Sequence, residues 1–288
     1  MTTIRSTTAT ARKAAYDWKT AVRNESSMLC VNSTTRPPFK ICPHRTENKS
    51  DVVSQNVLSG VTWEHFITKK LGQLATKYPN ATFVDIGMNI GTHALFAAAL
   101  GLRVVGAEPS ADNWPNIHKA VLLNNFQQRF ILLPYAVSDS RGSLQMTKNV
   151  GNIAGTFVIG TGGKDFAAEN IKRAPPFKVE TVLLEDLLPF ISSKTAILKV
   201  DVESYECKAI GTSNKFFSSL AVPVIFMEMG HANQAQPECV KRMVNFLREL
   251  GYKSVRDATN DKLFVLPNKT DPAEKFIKGW PFDVIWSM

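Results

Sequence analysis

Nowhere does the sequence approach a run of about 18 apolar residues; the nearest is the mixed stretch around Ala94 to Leu102. A membrane-spanning helix is thereby excluded for the chain as written. The opening MTTIRSTTATARKAAYDWK also lacks the apolar centre of a signal peptide. Two compartments are compatible with that: the cytosol, or a Golgi-type lumen if an N-terminal anchor has been removed. Lys and Arg form no run interleaved with aromatics, and helix-turn-helix, zinc-finger and RNP signals are missing. A nucleic-acid partner is therefore not expected. The four cysteines, Cys30, Cys42, Cys207 and Cys239, contain no C-x2-C pair, so a zinc module is excluded. Internal repeats are absent as well.

What is present is a globular composition: 288 residues, 44% hydrophobic and 20% charged. Disorder and collagen-like structure are ruled out, and two domains is an upper bound. The net charge of +9 is unevenly spread: residues 1–80 carry 12 basic and 5 acidic side chains, residues 81–200 carry 11 and 9, and residues 201–288 carry 11 of each. The basic excess thus belongs to the first quarter of the chain. There Cys30 and Cys42 bracket VNSTTRPPFKI. A disulfide in an oxidising compartment and two unrelated thiols fit that spacing equally. Acceptor sites of the N-x-S/T type stand at Asn24, Asn32, Asn48, Asn80 and Asn268, a modest excess over chance for a chain this rich in Asn, Ser and Thr.

Residues 1–60 are rich in Ser, Thr, Asn and basic side chains, with a short helix expected over 9–22, and read as an appendage to a domain spanning 61–288. Apolar residues at Trp63, Phe66, Ile67, Leu71 and Leu74 predict a helix ending before Pro79. Short apolar strands and helices then alternate. Strands are expected at 81–86, 102–108, 129–137, 195–201 and 223–229, with helices at 91–100, 112–125 and 237–250. Such alternation implies an α/β fold with a mostly parallel sheet, helices on both faces, and an antiparallel C-terminal edge from 251–257 and 262–267. Residues 140–194 interrupt the pattern as an insertion of extra strands and loops.

The sharpest local feature is Asp85-Ile86-Gly87-Met88-Asn89-Ile90-Gly91, between a strand and a helix. Glycines admit a ligand close to the backbone, and the helix start offers free N–H groups. A dinucleotide loop would read G-x-G-x-x-G, but Asn89 and Thr92 replace its second and third glycines. An acid two residues before Gly87 suits a cationic ligand better than a diphosphate. Glu108, closing the next strand, can accept both hydroxyls of a ribose, as NAD sites also do. A purely structural glycine turn with a capped helix is the alternative.

These residues, with V-V-G-A-E-P-S, A-V-S-D (136–139), V-E-T-V-L-L-E-D-L-L (179–188) and L-K-V-D-V-E-S-Y-E (198–206), occur in the order and spacing of the FkbM-type methyltransferases. The chain resembles that family from about Phe83 to Tyr252, and in its I-C-P-H (41–44) and Y-E-C-K-A (205–209) stretches resembles animal members. The resemblance implies a class I Rossmann-like fold with a seven-stranded sheet, S-adenosylmethionine as cofactor, and methyl transfer to a hydroxyl, most often of a sugar or glycan. Carried over residue by residue, Asp85, Gly87, Asn89 and Gly91 would surround the methionine part of the cofactor, Glu108 the ribose, and Ser138 with Asp139 the adenine edge. Ser204 departs from the family, which commonly has Gly after Asp-x-Glu.

Alternation along the strand sends Lys199, Asp201 and Glu203 to one face at its carboxyl end, where parallel α/β folds place ligands. Glu203 is the first choice as base for the acceptor's proton, with Asp201 nearer the cofactor or orienting the acceptor. A solvated strand end with a helix-start carboxylate is the bland alternative. Glu228 and His231, three residues apart after the fifth strand, are further candidates. Asp201, Glu228 and His231 together could hold a divalent cation, although no metal is expected. His93 in the first turn of the cofactor helix can face the acceptor. Cys207 reads as a small buried apolar residue. Rival functions are a methyltransferase of small hydroxylated metabolites, a nicotinamide-dependent oxidoreductase and a non-catalytic binding module.

Overall fold

The computed structural model describes residues 15–17, 28–45, 51–150, 152–160, 173–211, 213–230, 236–276 and 279–288. Its elements in chain order are β1 (Val31–Asn32), β2 (Lys40–Ile41), α1 (Val52–Leu58), α2 (His65–Lys77), β3 (Thr82–Ile86), α3 (Thr92–Ala99), β4 (Arg103–Ala107), α4 (Trp114–Leu123), β5 (Phe130–Leu133), β6 (Ala136–Val137), β7 (Gly142–Asn149), β8 (Asn152–Val158) and β9 (Phe177–Val182). A 3-10 turn (Leu184–Phe190) leads into β10 (Thr195–Val200), α5 (Glu206–Ile210), α6 (Asn214–Ser219), β11 (Ala221–Glu228), α7 (Pro237–Glu249), β12 (Ser254–Asp257), β13 (Leu263–Phe264) and β14 (Asp283–Ser287).

Eight strands form the main sheet in the order β13-β12-β14-β11-β10-β3-β4-β5. The run from β11 to β5 is parallel. Its central strands are mostly apolar because both faces are covered: all five residues of β3 are buried, as are Ala196 to Val200 of β10, with Asp85 and Lys199 the charged exceptions. On one face lie α2, α3 and α4, around Leu71, Leu95, Ala97, Ile117 and Val121. α3 packs closely because Ala94, Ala97 and Ala98 present so little side chain. On the other face α5, α6 and α7 contribute Ile210, Phe216, Val240, Met243, Val244 and Leu247. The i, i+3, i+4, i+7 spacing of the last four is what makes α7 a covering helix.

Two expectations change. The strand expected over 129–137 divides at Pro134, which has no N–H for a ladder: β5 stays in the main sheet, while β6 pairs with β9 in a second sheet ordered β6-β9-β7-β8. The main sheet also gains a strand from the chain's tail. β14 lies antiparallel between β11 and β12, with Trp286 opposite Ile225 on one side and Val255 on the other. Trp286 is fully buried, with its ring 6.5 Å from that of Tyr252. The pair expected at the antiparallel edge is there as β12 and β13.

The first 60 residues supply core as well as surface: Phe39, Ile41, Cys42 and Val53 are buried in the cluster built on α2 to α4. Asn116 donates to the Cys42 carbonyl at 2.7 Å, and His44 Nε2 meets Asn113 Oδ1 at 2.8 Å. Most of the helix expected over 9–22 lies outside the described residues, as do Asn24 and Asn48. All four cysteines are paired, Cys30 with Cys42 and Cys207 with Cys239. Cys207 is therefore buried, as expected, but as a covalent tie between α5 and α7 rather than an isolated apolar residue. Each tie removes unfolded-state freedom worth on the order of 3 kcal/mol.

Candidate active site

A cavity of about 250 Å³ opens at the carboxyl ends of β3, β4 and β10. Strand ends are where a parallel sheet leaves backbone groups and loop side chains free to meet a ligand. The β3–α3 loop supplies Gly87, Met88 and Asn89; β4 ends in Glu108; β10 leads to Asp201, Val202 and Glu203; the second sheet closes the far side with Met146, Asn149, Thr156 and Val158.

Gly87 sits at φ 82°, and a Cβ there would fall 1.8 Å from the Asp201 carbonyl oxygen. Its missing side chain thus lets the β3 and β10 loops touch. Asn89, at φ 53°, takes the left-handed conformation that Asn tolerates best after glycine. Its N–H donates to Glu108 Oε2 at 2.8 Å, while its own Oδ1 is buried without a partner. Ser110 N–H donates to Glu108 Oε1, also at 2.8 Å. Gly91, at φ 85°, starts α3 just behind the cavity.

Asp85 does not line the cavity. It lies beneath the loop, 1% exposed, with Oδ1 3.9 Å from Lys199 Nζ. Lys199 Nζ also reaches Asp201 Oδ2 at 2.9 Å. Burial works against its charge, but Asp201, Asp85 and Glu64 overcome that and raise its pKa. Burial raises the Asp85 carboxyl despite Lys199, and pushes Glu108 up to about 7 despite its backbone donors. Glu203 is raised well above the ordinary range by burial, then by Asp201 and Glu206. Glu228 is raised by burial and by Asp201, Glu203 and Glu206.

The expected residues are therefore only partly brought together. Gly87, Asn89, Glu108, Asp201, Glu203 and His93 line the main cavity. Glu228 lines a smaller neighbouring one with Glu64, Lys199, Asp201 and Asp283. Ser138 and Asp139 follow the lining residues Ala136 and Val137 but are not themselves among the lining residues. Ser138 Oγ lies 3.1 Å from Tyr205 Oη, and Asp139 Oδ2 accepts from Lys208 Nζ at 2.7 Å. His231 lies outside the described residues.

Glu64 escaped sequence reasoning. It precedes α2 at φ 44° and meets His93 Nε2 at 2.7 Å. Burial pushes its carboxyl up, but His93 and Lys199 outweigh that and lower it. Nothing in V-T-W-E-H-F marks it, because its partner is 29 residues away. Tyr135, just after β5, also reaches the cavity, as do Asn149 and Thr156 of the insertion, whose pairing has no local sequence signal.

A donor set of this kind fits S-adenosylmethionine. Asn89 offers an unpartnered buried oxygen, and Glu108, which accepts from the Asn89 and Ser110 N–H groups and from the Asn113 side chain, keeps acceptor capacity for a ribose hydroxyl.

The turn after β10 is strained. Glu203 and Ser204 occupy φ 54° and 75° in succession, and the buried Ser204 Oγ has no partner. A glycine at 204 would adopt that backbone without strain. Ser204→Gly should raise the unfolding free energy by about 1 kcal/mol in urea denaturation, since left-handed strain and an orphaned hydroxyl both disappear. Unchanged or lower stability would show the turn to be relaxed.

The methyltransferase FkbM domain family matches residues 85–254, more than half of the chain. No match was found among curated proteins. Among solved structures, the METTL16 methyltransferase domain is 12% identical at a TM-score of 0.39, over 77% of this chain and 64% of that one. A candidate RNA methyltransferase from Pyrococcus horikoshii is 14% identical at 0.35, over 76% and 81%. A candidate rRNA methylase from Clostridium thermocellum is 14% identical at 0.35, over 75% and 94%. The family match covers the glycine loop, Glu108, the inserted sheet and the Asp201–Glu203 turn that build the cavity, and the chain belongs to the FkbM family of S-adenosylmethionine-dependent methyltransferases.

Proposed function

We propose that the chain methylates a hydroxyl oxygen, most fittingly one on a sugar or glycan. The observation that carries the hydroxyl is that acids line the cavity and its one Lys or Arg among the described residues is already paired. The acids are Glu108, Asp201 and Glu203, and Lys199 is engaged by Asp85 and Asp201. A polyanion finds no unengaged Lys or Arg there among the described residues, whereas a neutral hydroxyl needs none. Tyr135, Asn149 and Thr156 offer hydrogen-bonding groups to a polyol. The sugar itself is inferred from the family.

In this reading Asp85, Gly87, Asn89 and Gly91 form the end that takes the methionine portion of the cofactor. Asp85 acts from beneath the loop, through Lys199 and the local field. Glu108 accepts the ribose hydroxyls, and Ala136 and Val137 flank the adenine, with Ser138 and Asp139 supporting them from behind. When bound, the cofactor supplies a methyl group carried on a sulfonium. The chain aligns the acceptor and removes its proton. Glu203 holds that proton and Asp201 orients the hydroxyl, with Glu228 and His231 as the further candidates beyond the fifth strand. Residues 61–288 form the catalytic domain, with the insertion at 140–194 shaping the acceptor side.

Both disulfides, and the exposure of Asn32, Asn80 and Asn268, favour a lumenal protein. Mapping of protein taken from its own cell should find both disulfides and glycan on at least one of these asparagines; a reduced, unglycosylated chain would place it in the cytosol.

Glu108 ties cofactor affinity to pH. Burial lifts its pKa to about 7, and ribose hydroxyls donate to the ionised form. Affinity should therefore rise with pH up to about 7, by about tenfold per unit below that, then level off. Glu108→Gln should bind more weakly with a flat profile; a wild-type profile flat from pH 5 to 8 contradicts this role.

Incubation with labelled S-adenosylmethionine and a panel of glycosides and small hydroxylated metabolites tests the acceptor. Glu203→Gln should lower kcat by about 100-fold or more while leaving cofactor affinity within about threefold. Transfer only to non-sugar acceptors rejects the glycan, and an undiminished kcat removes Glu203 as the base.

A further inference from the structure

Behind the cavity wall, three carboxylates from different elements converge. One oxygen each of Asp201, Glu206 and Glu228 lies within 4.8 Å of the other two. Glu206 is fully buried at the start of α5. Its Oε1 accepts the Val202 N–H at 2.9 Å, and its Oε2 has no partner. Glu228 Oε2, from the end of β11, is likewise shielded from water and unpartnered. Lys199, the cation at hand, is spent on Asp201 Oδ2 and Asp85. Buried carboxylate oxygens left without donors are costly, and a native chain keeps such groups where something completes them.

The donors are all oxygen and all carboxylate, the set that hard divalent cations prefer over zinc or copper. The spread also suits one ion. Oxygens at about 2.3–2.6 Å from calcium lie up to about 5 Å apart across the ion, and at about 2.0–2.1 Å from magnesium up to about 4 Å, so the spread admits the larger ion as it stands and the smaller after a slight closing of the carboxylates. The turn that carries Glu206 is braced before any ligand arrives. Gln236 Nε2 donates to the Ser204 carbonyl at 2.9 Å, and the Cys207–Cys239 disulfide ties the next residue to α7. Asp201, 28% exposed in its side chain, lines both the main cavity and the smaller one that Glu228 reaches, which gives an entry path.

We propose that Asp201, Glu206 and Glu228 bind one hard divalent cation of the Mg²⁺, Mn²⁺ or Ca²⁺ type at the carboxyl ends of β10 and β11. Binding itself is independent of the acceptor. Its chemical task, which rests on the hydroxyl-transfer reading, is to acidify an acceptor hydroxyl that reaches the ion past Asp201.

The test is titration of the chelator-treated full chain with Mn²⁺, followed by electron paramagnetic resonance and calorimetry, with Mg²⁺ and Ca²⁺ as competitors. One saturable Mn²⁺ per chain is expected, displaced by at least one competitor. Glu228→Gln should weaken it by at least about tenfold, the loss that a single outer-shell change already causes, while S-adenosylmethionine binding stays within about twofold. Glu206→Gln should do the same; should it fail to fold, Glu228→Gln at the strand end carries the comparison. No saturable uptake by the wild-type chain, or unchanged Mn²⁺ affinity in folded Glu228→Gln, overturns the site. A chain that binds Mn²⁺ yet methylates no hydroxyl keeps the site and loses the hydroxyl reading.

Discussion

Lys199 stands on the central strand of the main sheet with its ammonium 2.9 Å from Asp201 and 3.9 Å from Asp85, and with Glu64 also in its field. It is 4% exposed, so water contributes little to holding its charge. Around it, carboxylates from three strand ends would repel one another in a medium where charges interact strongly. One ammonium keeps that assembly compatible with a packed sheet. Because it hydrogen-bonds the Asp201 side chain while Gly87 makes room for the Asp201 carbonyl, it also sets how closely the β3 and β10 loops approach. The shape of the cavity descends from that contact.

The same arrangement divides the acids by role. Glu108, at the edge away from Lys199, has backbone donors on both oxygens and remains near neutrality in its titration. Asp85 and Asp201 share the ammonium. Glu203, Glu206 and Glu228 lie beyond its reach as hydrogen-bond partners, and burial with mutual repulsion dominates them. A chain that keeps so many acids together at one end of its sheet has a chemical use for them, since apolar residues would pack there with less strain.

Most of the parallel half of the sheet is legible from residue order. Short Val, Ile, Leu and Phe runs alternating with helical periods leave few topologies once strands must be covered on both faces. β14 is not legible in that way, because its partners β11 and β12 are fixed only after α7 has folded back. The division of 129–137 is signalled by Pro134, yet the partner of β6, strand β9, is set by the insertion. The cavity-lining Gly87, Asn89, Glu108, Asp201 and Glu203, and Asp85 beneath them, could be named because they sit at or just beyond strand ends with fixed spacing. Glu64 and Glu206 could not: one lies in a left-handed residue before a helix, the other on a helix start that reads as ordinary.

By itself the sequence determined the fold class, the loop and strand-end residues Gly87, Asn89, Glu108, Asp201 and Glu203 that line the cavity, and the confinement of the basic excess to the first quarter. All of these depend on local period, residue type or spacing along the chain. Tertiary structure alone decided that Cys207 pairs with Cys239, that Ser138 meets Tyr205 and Asp139 meets Lys208, and that Glu64 finds His93. It also decided that Asp201, Glu206 and Glu228 point at one another. Each is a meeting of side chains from separate elements, and its geometry follows from how the sheet twists and the helices pack, which no local pattern encodes.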